Sequence, residues 1–210
     1  GSSSDRITLT GNPLRKELKS TDKNTALDFL GLSDDKFTLL VMGGSLGSHR
    51  INQVVLDALS ALSDKSKLQV IHLTGRQDYD LLNSTYQKLN LNIKLFSFLK
   101  EIHYAYSVCD LVIARAGATT ISEVINFKLP AIVVPYPFAY KHQLSNAKFL
   151  EIKGCAVIIE DAKLDSAILK DILEDLMNNP DKLKKMRYNY NNIPQLQADE
   201  LLVKEAMTLN

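Results

Sequence analysis

The fold is decided by residues 37–48, FTLLVMGGSLGS, where an apolar run ends in a glycine-rich turn. A short continuous apolar run bounded by turn residues is typical of a strand buried on both faces. Directly after the turn, Ile51, Val55, Ala58 and Leu59 recur at helical spacing. The stretch therefore predicts a buried strand, a tight turn and an amphipathic helix in succession.

The same unit repeats along the chain. Because parallel strands need a crossover connection, and helices of this length supply it, the repeat predicts an α/β fold. We expect a doubly wound, Rossmann-like parallel sheet. Beyond residue 160 the strand signal stops and only helical patterns follow. Strands are predicted at residues 37–42, 68–73, 93–98, 111–114, 131–135 and 156–159, and closing helices at 164–177, 180–189 and 195–207.

Composition sets limits on function. The 210 residues are 45% hydrophobic, enough for a well-packed core, and 25 Lys plus Arg stand against 24 Asp plus Glu. This balance argues against a nucleic-acid partner, since phosphate contacts need a basic surface. No apolar run approaches the roughly 20 residues of a membrane-spanning helix. Cys109 and Cys155 lie far apart in apolar stretches, so we expect reduced thiols and a cytoplasmic protein.

Candidate site residues lie in the strand-to-helix turns, because ligands of open α/β sheets bind beyond the carboxyl ends of the strands. The first turn, residues 43–48, suits a phosphate, since its glycines and the following helix N-terminus present free N–H groups. The alternative is a tight turn with helix capping. The turn lacks both the Lys of a Walker loop and the spacing of a dinucleotide fingerprint.

Two further turns carry polar side chains. Glu123, in the turn after residue 114, could accept hydrogen bonds from two ribose hydroxyls, although Thr120 and Glu123 also have the spacing of a capping box. In the loop after residue 135, His142 and Gln143 suit sugar hydroxyls, with surface or capping groups as the alternative. No metal is predicted, since His49, His72 and His103 lack ligand spacing. We read the pair Asp78 and Asp80 as a solvated helix start.

Six motifs in order resemble the carboxyl half of the MurG family, over roughly residues 8 to 160. They are T-G-N-P-x-R at 10–15, G-G-S-x-G-(x)4-N at 43–52, H-x-T-G at 72–75, R-A-G-A-T-T-x-S-E at 115–123, P-x-P at 135–137 and H-Q-x-x-N-A at 142–147. The resemblance implies one half of a two-domain GT-B glycosyltransferase. That family transfers N-acetylglucosamine from UDP-N-acetylglucosamine to undecaprenyl-pyrophosphoryl-muramoyl-peptide, converting lipid I to lipid II in peptidoglycan synthesis.

The resemblance also implies how this chain relates to a complete enzyme. Members are nearly twice as long, and their amino half carries the acceptor loops and the proposed catalytic base. We therefore expect an excised donor-binding domain, inactive alone, that spans residues 5–210 behind an expression scar at 1–4, with closing helices at about 164–208. The implied partners are UDP-N-acetylglucosamine and, through the amino half, the lipid-linked acceptor. No cofactor or metal is implied, and the full-length protein would be peripheral on the cytoplasmic face of the plasma membrane.

Residue by residue, the resemblance implies contacts to each part of the donor. Arg15 and Ser45, with Gly44 and Gly47 of the same glycine turn, would hold the diphosphate. Glu123 would hold the ribose, and His142 with Gln143 the sugar; some members carry Gln in place of His142, so Gln143 is the firmer match. The residues implied to line the uracil and phosphate pocket are Leu99, Ala116, Gly117, Ala118, Thr119, Thr120 and Ile121.

Three other functions remain open at this point. One is the catalytic subunit of a dolichol-linked N-acetylglucosamine transferase, which resembles the same half. Another is a UDP-N-acetylglucosamine epimerase, which needs acid and base carboxylates that the sequence does not place. The third is a nucleotide-sugar binding module without catalysis. The T-G-N-P and H-Q motifs favour MurG.

Overall fold

Strands and helices alternate through the chain. The computed structural model describes residues 8–44, 46–89, 91–139, 142–194 and 198–208. The strands are β1 (Phe37–Met42), β2 (Leu68–Leu73), β3 (Asn92–Phe96), β4 (Leu111–Ala114), β5 (Ala131–Val133) and β6 (Ala156–Ile158). The helices are α1 (Lys23–Leu30), α2 (His49–Ala61), α3 (Tyr79–Tyr86), α4 (Ile102–Val108), α5 (Ala118–Asn126), α6 (His142–Ile152), α7 (Ser166–Asn178), α8 (Pro180–Asn189) and α9 (Ala198–Thr208).

All six strands pair in parallel, in the order β3-β2-β1-β4-β5-β6. Leu39 of β1 lies opposite Val70 of β2 on one side and Leu111 of β4 on the other. This is the Rossmann order, in which the direction of winding reverses between β1 and β4 and opens a crevice at their carboxyl ends. The predicted doubly wound parallel sheet is confirmed.

Helices cover both faces of the sheet. Along β1, Leu40 and Met42 pack in the layer that contains α1, α4, α5 and α6, whereas Leu39 and Val41 face the layer of α2, α3, α7 and α8. All four side chains are buried. Burying a side chain of this size contributes about 1.5–3 kcal/mol, so the two layers fix the strand register. The crevice therefore sits on a rigid support.

Three strands are shorter than predicted. β3 ends at Phe96, β5 at Val133 and β6 at Ile158, so the sequence patterns extended one or two residues too far. At β5 the reason is chemical, because Pro135 has no N–H to continue the ladder. The segments after β5 and β6 reach the crevice, through residues 136–138 and Asp161.

The helical predictions differ at their ends. α7 begins at Ser166 rather than 164, because the Asp165 side chain accepts the N–H groups of Ala167 and Ile168 and caps the helix there. The predicted last helix is present as α9, although residues 195–197 lie outside the described residues, as does the predicted scar at 1–4. Ile152, at the end of α6, is exposed. No helix among the described residues has both the length and the apolarity to cross a membrane.

Candidate functional site

A cavity with a volume of about 590 Å³ opens at the carboxyl ends of β1 and β4, where the strand order reverses. Its walls come from the turn after β1, the turn after β4 and the loop after β5. The crevice expected of a doubly wound sheet is therefore present. The sequence-predicted residues that line it are Gly44, Gly47, Gly117, Thr120 and Gln143.

Other predicted residues lie outside this cavity. Arg15 lines a second cavity of about 710 Å³, formed by the segment before α1 together with α5 and the start of α9. Leu99 and Glu123 are buried, and Ser45 lies outside the described residues. The remaining predicted residues lie in the same turns and helix starts but do not line the cavity; they are Ala116, Ala118, Thr119, Ile121 and His142.

The glycine turn is held by close backbone packing. Gly44 and Gly47 have φ values of 95° and 80°, a region that side chains rarely adopt. A Cβ added to Gly47 would overlap the Thr74 carbonyl, and one on Gly75 would overlap Leu46. Ser48 ends the turn as the N-cap of α2, its Oγ accepting the Ile51 N–H at 3.5 Å. The capping alternative for this turn is thus present, and Gly44 and Gly47 also line the cavity.

A buried polar network fastens α2 to β2 behind the glycine turn. Asn52 donates through Nδ2 to the Thr74 carbonyl at 2.8 Å and to Asp78 at 2.7 Å, so its Oδ1 must accept from His72 Nε2 at 3.0 Å. His72 Nδ1 then accepts from the Tyr86 hydroxyl at 2.8 Å. Burial lowers the pKa of His72 to about 3, so the ring is neutral, as this pattern requires.

The polar network around Asn52 contains residues of two of the sequence motifs and extends to the cavity. Asn52 ends the motif that begins at residue 43, and His72 and Thr74 belong to H-x-T-G. Asp78 also accepts from His49 Nδ1 at 2.9 Å, and His49 lines the cavity. The predicted helix start is confirmed, since Asp78 is the N-cap of α3 and Asp80 lies exposed in its first turn. The prediction is wrong only in that the Asp78 side chain is largely buried and not solvated.

The predicted capping box is wrong. α5 begins at Ala118 with Gly117 as its N-cap, so Thr120 lies inside the helix and cannot serve as the cap. Glu123 instead packs inward, where its Oε2 accepts from the Tyr106 hydroxyl at 2.7 Å. Gly117 has no side chain that could cap α5, and within the part of the chain that the structure describes no side-chain cap accepts the first-turn N–H groups beside the cavity.

Arg115 holds three loops together at the floor of the cavity, a role that the sequence analysis missed. Its guanidinium donates to Asp161 at 2.5 Å, to Ser48 Oγ at 2.9 Å and to the Val134 carbonyl at 3.3 Å. The Tyr136 ring lies 5.3 Å from its Cζ. The signal available in the sequence was an Arg directly after a buried strand, since a charge in that place needs partners.

Gln143 and Asn146 hold the backbone of Ala116 on both sides, one at its N–H and the other at its carbonyl. Gln143 Oε1 accepts from the backbone N–H groups of Ala116 at 3.2 Å and Tyr136 at 2.9 Å. Asn146 Nδ2 donates to the Ala116 carbonyl at 3.0 Å. The two side chains are three residues apart on α6, hence on one face, and they tie the turn after β4 to the loop after β5. The H-Q-x-x-N-A motif thus has a structural role in this chain.

We expect Gln143→Ala to destabilise the fold as well as to change any ligand binding. The N–H groups of Ala116 and Tyr136 would lose their acceptor. Only the Ala116 group is partly buried, so the cost should lie toward the lower end of the range of about 1–3 kcal/mol for a buried unsatisfied donor. Thermal unfolding of Gln143→Ala beside Gln143→Glu measures this, because Glu keeps the accepting oxygen. Wild-type stability in Gln143→Ala would contradict the bridging role.

Glu123 has an unusual environment for a carboxylate. Burial raises its pKa, while the hydrogen bond from Tyr106 and the charge of Arg15 lower it in part. Arg15 therefore acts on Glu123 from the second cavity, which Arg15 lines. Glu123 is one turn along α5 from Thr120, which lines the first cavity.

The chain matches the family described as the glycosyltransferase family 28 C-terminal domain over residues 38–202. Among curated proteins, it is 36% identical over 189 residues to the UDP-N-acetylglucosamine–N-acetylmuramyl-(pentapeptide) pyrophosphoryl-undecaprenol N-acetylglucosamine transferase of Desulforamulus reducens, covering 87% of this chain and 51% of that protein. The transferase of the same name from Geobacter metallireducens is 36% identical over 206 residues, with coverage of 97% and 56%. The chain thus spans about half the length of the curated relatives it matches.

Solved structures agree with the fold. Acinetobacter baumannii MurG superposes with a TM-score of 0.76 at 30% identity, covering 90% of this chain and 53% of that one. The Staphylococcus aureus structure described as MnaA with UDP gives a TM-score of 0.69 at 14% identity, covering 97% and 54%, which shows a shared fold alone. The parallel sheet is thus that of one half of a GT-B glycosyltransferase. From the matched range and these similarities, the chain belongs to the glycosyltransferase family 28 C-terminal domain family.

Proposed function

We propose that this chain is the donor-binding half of a transferase that moves N-acetylglucosamine from UDP-N-acetylglucosamine to lipid-linked muramoyl-peptide, making lipid II. Two observations support this proposal. The relatives are transferases of that name, and this chain has a cavity where the strand order reverses. We further propose that the complete protein works at the cytoplasmic face of the membrane, with the acceptor bound by the half that the relatives possess in addition.

The observation that carries the proposal is the convergence of two helix N-termini on one cavity. α2 and α5 both begin at its wall, and each N-terminus carries a partial positive charge. Of the described lining residues, Arg50 and Arg115 are cationic, and Asp161 is the one carboxylate. A diphosphate suits this field, and the same field would stabilise UDP as it leaves the sugar.

The remaining contacts of the donor are assigned by chemistry. Glu123 and Arg15 would meet the ribose and diphosphate from the α5 side, since an ionised carboxylate accepts from vicinal hydroxyls. Gln143 uses its oxygen in the bridge to Ala116 and Tyr136, which leaves its two amide N–H donors for the sugar. Ser45, Leu99 and His142 keep the roles that the family resemblance implies.

Titration with UDP-N-acetylglucosamine, UDP and ADP-ribose tests the donor class. We expect the two uridine ligands to bind and ADP-ribose to bind at least tenfold more weakly. Assayed alone with a lipid-linked acceptor, the chain should transfer no sugar, because the acceptor-binding half is supplied elsewhere. Preference for ADP-ribose would overturn the donor assignment. Radiolabel transfer by this chain alone would overturn the proposal that the acceptor is bound by another half of the protein.

We expect Glu123→Gln to weaken UDP binding by about two- to tenfold, because the charge-assisted hydrogen bonds to the ribose hydroxyls become neutral ones. Gln has nearly the same shape and can still accept from Tyr106, so stability should change little. The ligand control is 2′-deoxy-UDP, which lacks one ribose hydroxyl and should lose less affinity on the substitution. An equal loss for both ligands, measured by calorimetry, would remove Glu123 from the ribose site.

A further inference from the structure

We propose that Tyr106 is a positioning residue for the donor, because its hydroxyl fixes the Glu123 carboxylate in the orientation that the ribose requires. The inference rests on the proposed function for the identity of the ligand. Neither the family motifs nor the sequence pattern marked Tyr106, which lies on α4, outside every turn considered above.

The hydroxyl is placed by core packing and not by the ligand. Tyr106 is 2% exposed, and its ring packs on Phe127 with the ring centroids 5.1 Å apart. From this fixed ring the hydroxyl donates to Glu123 Oε2 at 2.7 Å and lies 3.4 Å from the sulfur of Met42, the last residue of β1. Tyr106 thus joins the carboxylate on α5 to the strand that leads into the glycine turn.

The contact leaves Glu123 able to accept more. An ionised carboxylate offers about four acceptor positions on its two oxygens, and Tyr106 occupies one of them. Because a carboxylate fixed on one side has lost its rotational freedom, a diol that meets it pays no further entropy for ordering that side chain. The contact with Tyr106 thus pre-organises the carboxylate that the proposed function assigns to the ribose.

Burial and nearby charges act on the protonation of both Tyr106 and Glu123. Burial and the neighbouring carboxylate raise the pKa of Tyr106 well above its ordinary value, so it stays a donor at working pH. Burial likewise raises the pKa of the Cys109 thiol, which remains uncharged. Arg15 is the cation that acts on Glu123. Burial opposes ionisation of Glu123, whereas Tyr106 and Arg15 favour it.

Replacing Tyr106 by Phe removes the hydroxyl and keeps the ring. The Glu123 carboxyl should then titrate at higher pH than in the wild type, because a hydrogen bond to its charged form is lost while its burial remains. UDP affinity at neutral pH should fall about three- to tenfold, and its loss on acidification should begin at higher pH. The matched control is Tyr190→Phe, since Tyr190 is equally buried and its hydroxyl donates to the Leu129 carbonyl at 2.6 Å.

Two measurements separate positioning from general stability. Carbon-13 NMR follows the Glu123 carboxyl in the ligand-free chain, with Glu123→Gln to assign the signal, and calorimetry follows UDP affinity against pH. The proposal expects both to change in Tyr106→Phe and neither in Tyr190→Phe. If UDP binds the wild type but the two variants behave alike, or the carboxyl midpoint is unmoved, the positioning role is overturned and the proposed function stands. If the wild type itself fails to bind UDP, the proposed function is overturned together with this role.

Discussion

Gly47→Ala is expected to destabilise the fold by about 2–6 kcal/mol and to abolish ligand binding at the cavity. Two costs combine at this position. A non-glycine residue at a φ of 80° carries strain of about 1–3 kcal/mol, and the new Cβ would overlap the Thr74 carbonyl, an overpacking cost of about 1–3 kcal/mol. Thr74 cannot retreat easily, because Asn52 holds its carbonyl at 2.8 Å. Urea denaturation of the variant and the wild type measures the difference.

Two other glycines of the cavity separate strain from overlap. Gly44 has a φ of 95° but open space where the methyl group of an alanine would lie, so Gly44→Ala should show the strain alone. Gly117 has an ordinary negative φ and only distant contacts, so Gly117→Ala should cost little stability. Stability of Gly47→Ala equal to that of Gly44→Ala would show that the backbone contact with Thr74 does not constrain the turn.

The sequence predicted the fold well because local patterns determine it. Strands buried on both faces produce continuous apolar runs, and the helices between them reveal the parallel connections. The predicted ends of helices and strands were less accurate, because each end depends on individual side chains or on a single missing N–H group. Asp165 decides where α7 begins, and Pro135 prevents β5 from continuing. These are side-chain details that an apolar pattern does not contain.

At the candidate site, residue types were predicted better than their roles. The spacing of Thr120 and Glu123 is that of a capping box, but the helix begins earlier, at Ala118, and this shift turns Glu123 toward Tyr106. Gln143 was assigned to the sugar, whereas its oxygen is used within the protein. Such partners come from other elements, so spacing within one motif could not reveal them.

Contacts between residues far apart in the sequence could not be predicted for the same reason. Arg115 and Asp161 are 46 residues apart, and Asn52 and His72 are 20 apart. Only the strand order brings each pair together, since β4 and β6 both end at the same edge of the sheet. Once that order is known, an Arg directly after one strand and an Asp near the end of another become natural partners.

Arg115→Ala is therefore expected to destabilise the chain by about 3 kcal/mol, the lower part of the range for breaking a buried ion pair. The lower part applies because Asp161 keeps a second cation, Arg50, with Nε and Oδ2 3.4 Å apart. For a domain of this size the loss corresponds to roughly 6–12 °C in Tm. UDP affinity should also fall, since Ser48 and the loop at Tyr136 lose the group that holds them at the cavity.

Arg50→Ala is the matched control for that substitution. Arg50 also contacts Asp161, but its side chain is 46% exposed, so its removal should cost about 1 kcal/mol or less. Arg115→Lys adds a second comparison, because an ammonium keeps the charge without the planar fork that reaches several partners at once. We expect its Tm to lie between those of Arg115→Ala and the wild type. Equal Tm values for Arg115→Ala and Arg50→Ala would show that the charge of Asp161, and not the guanidinium clamp, sets the stability of the cavity floor.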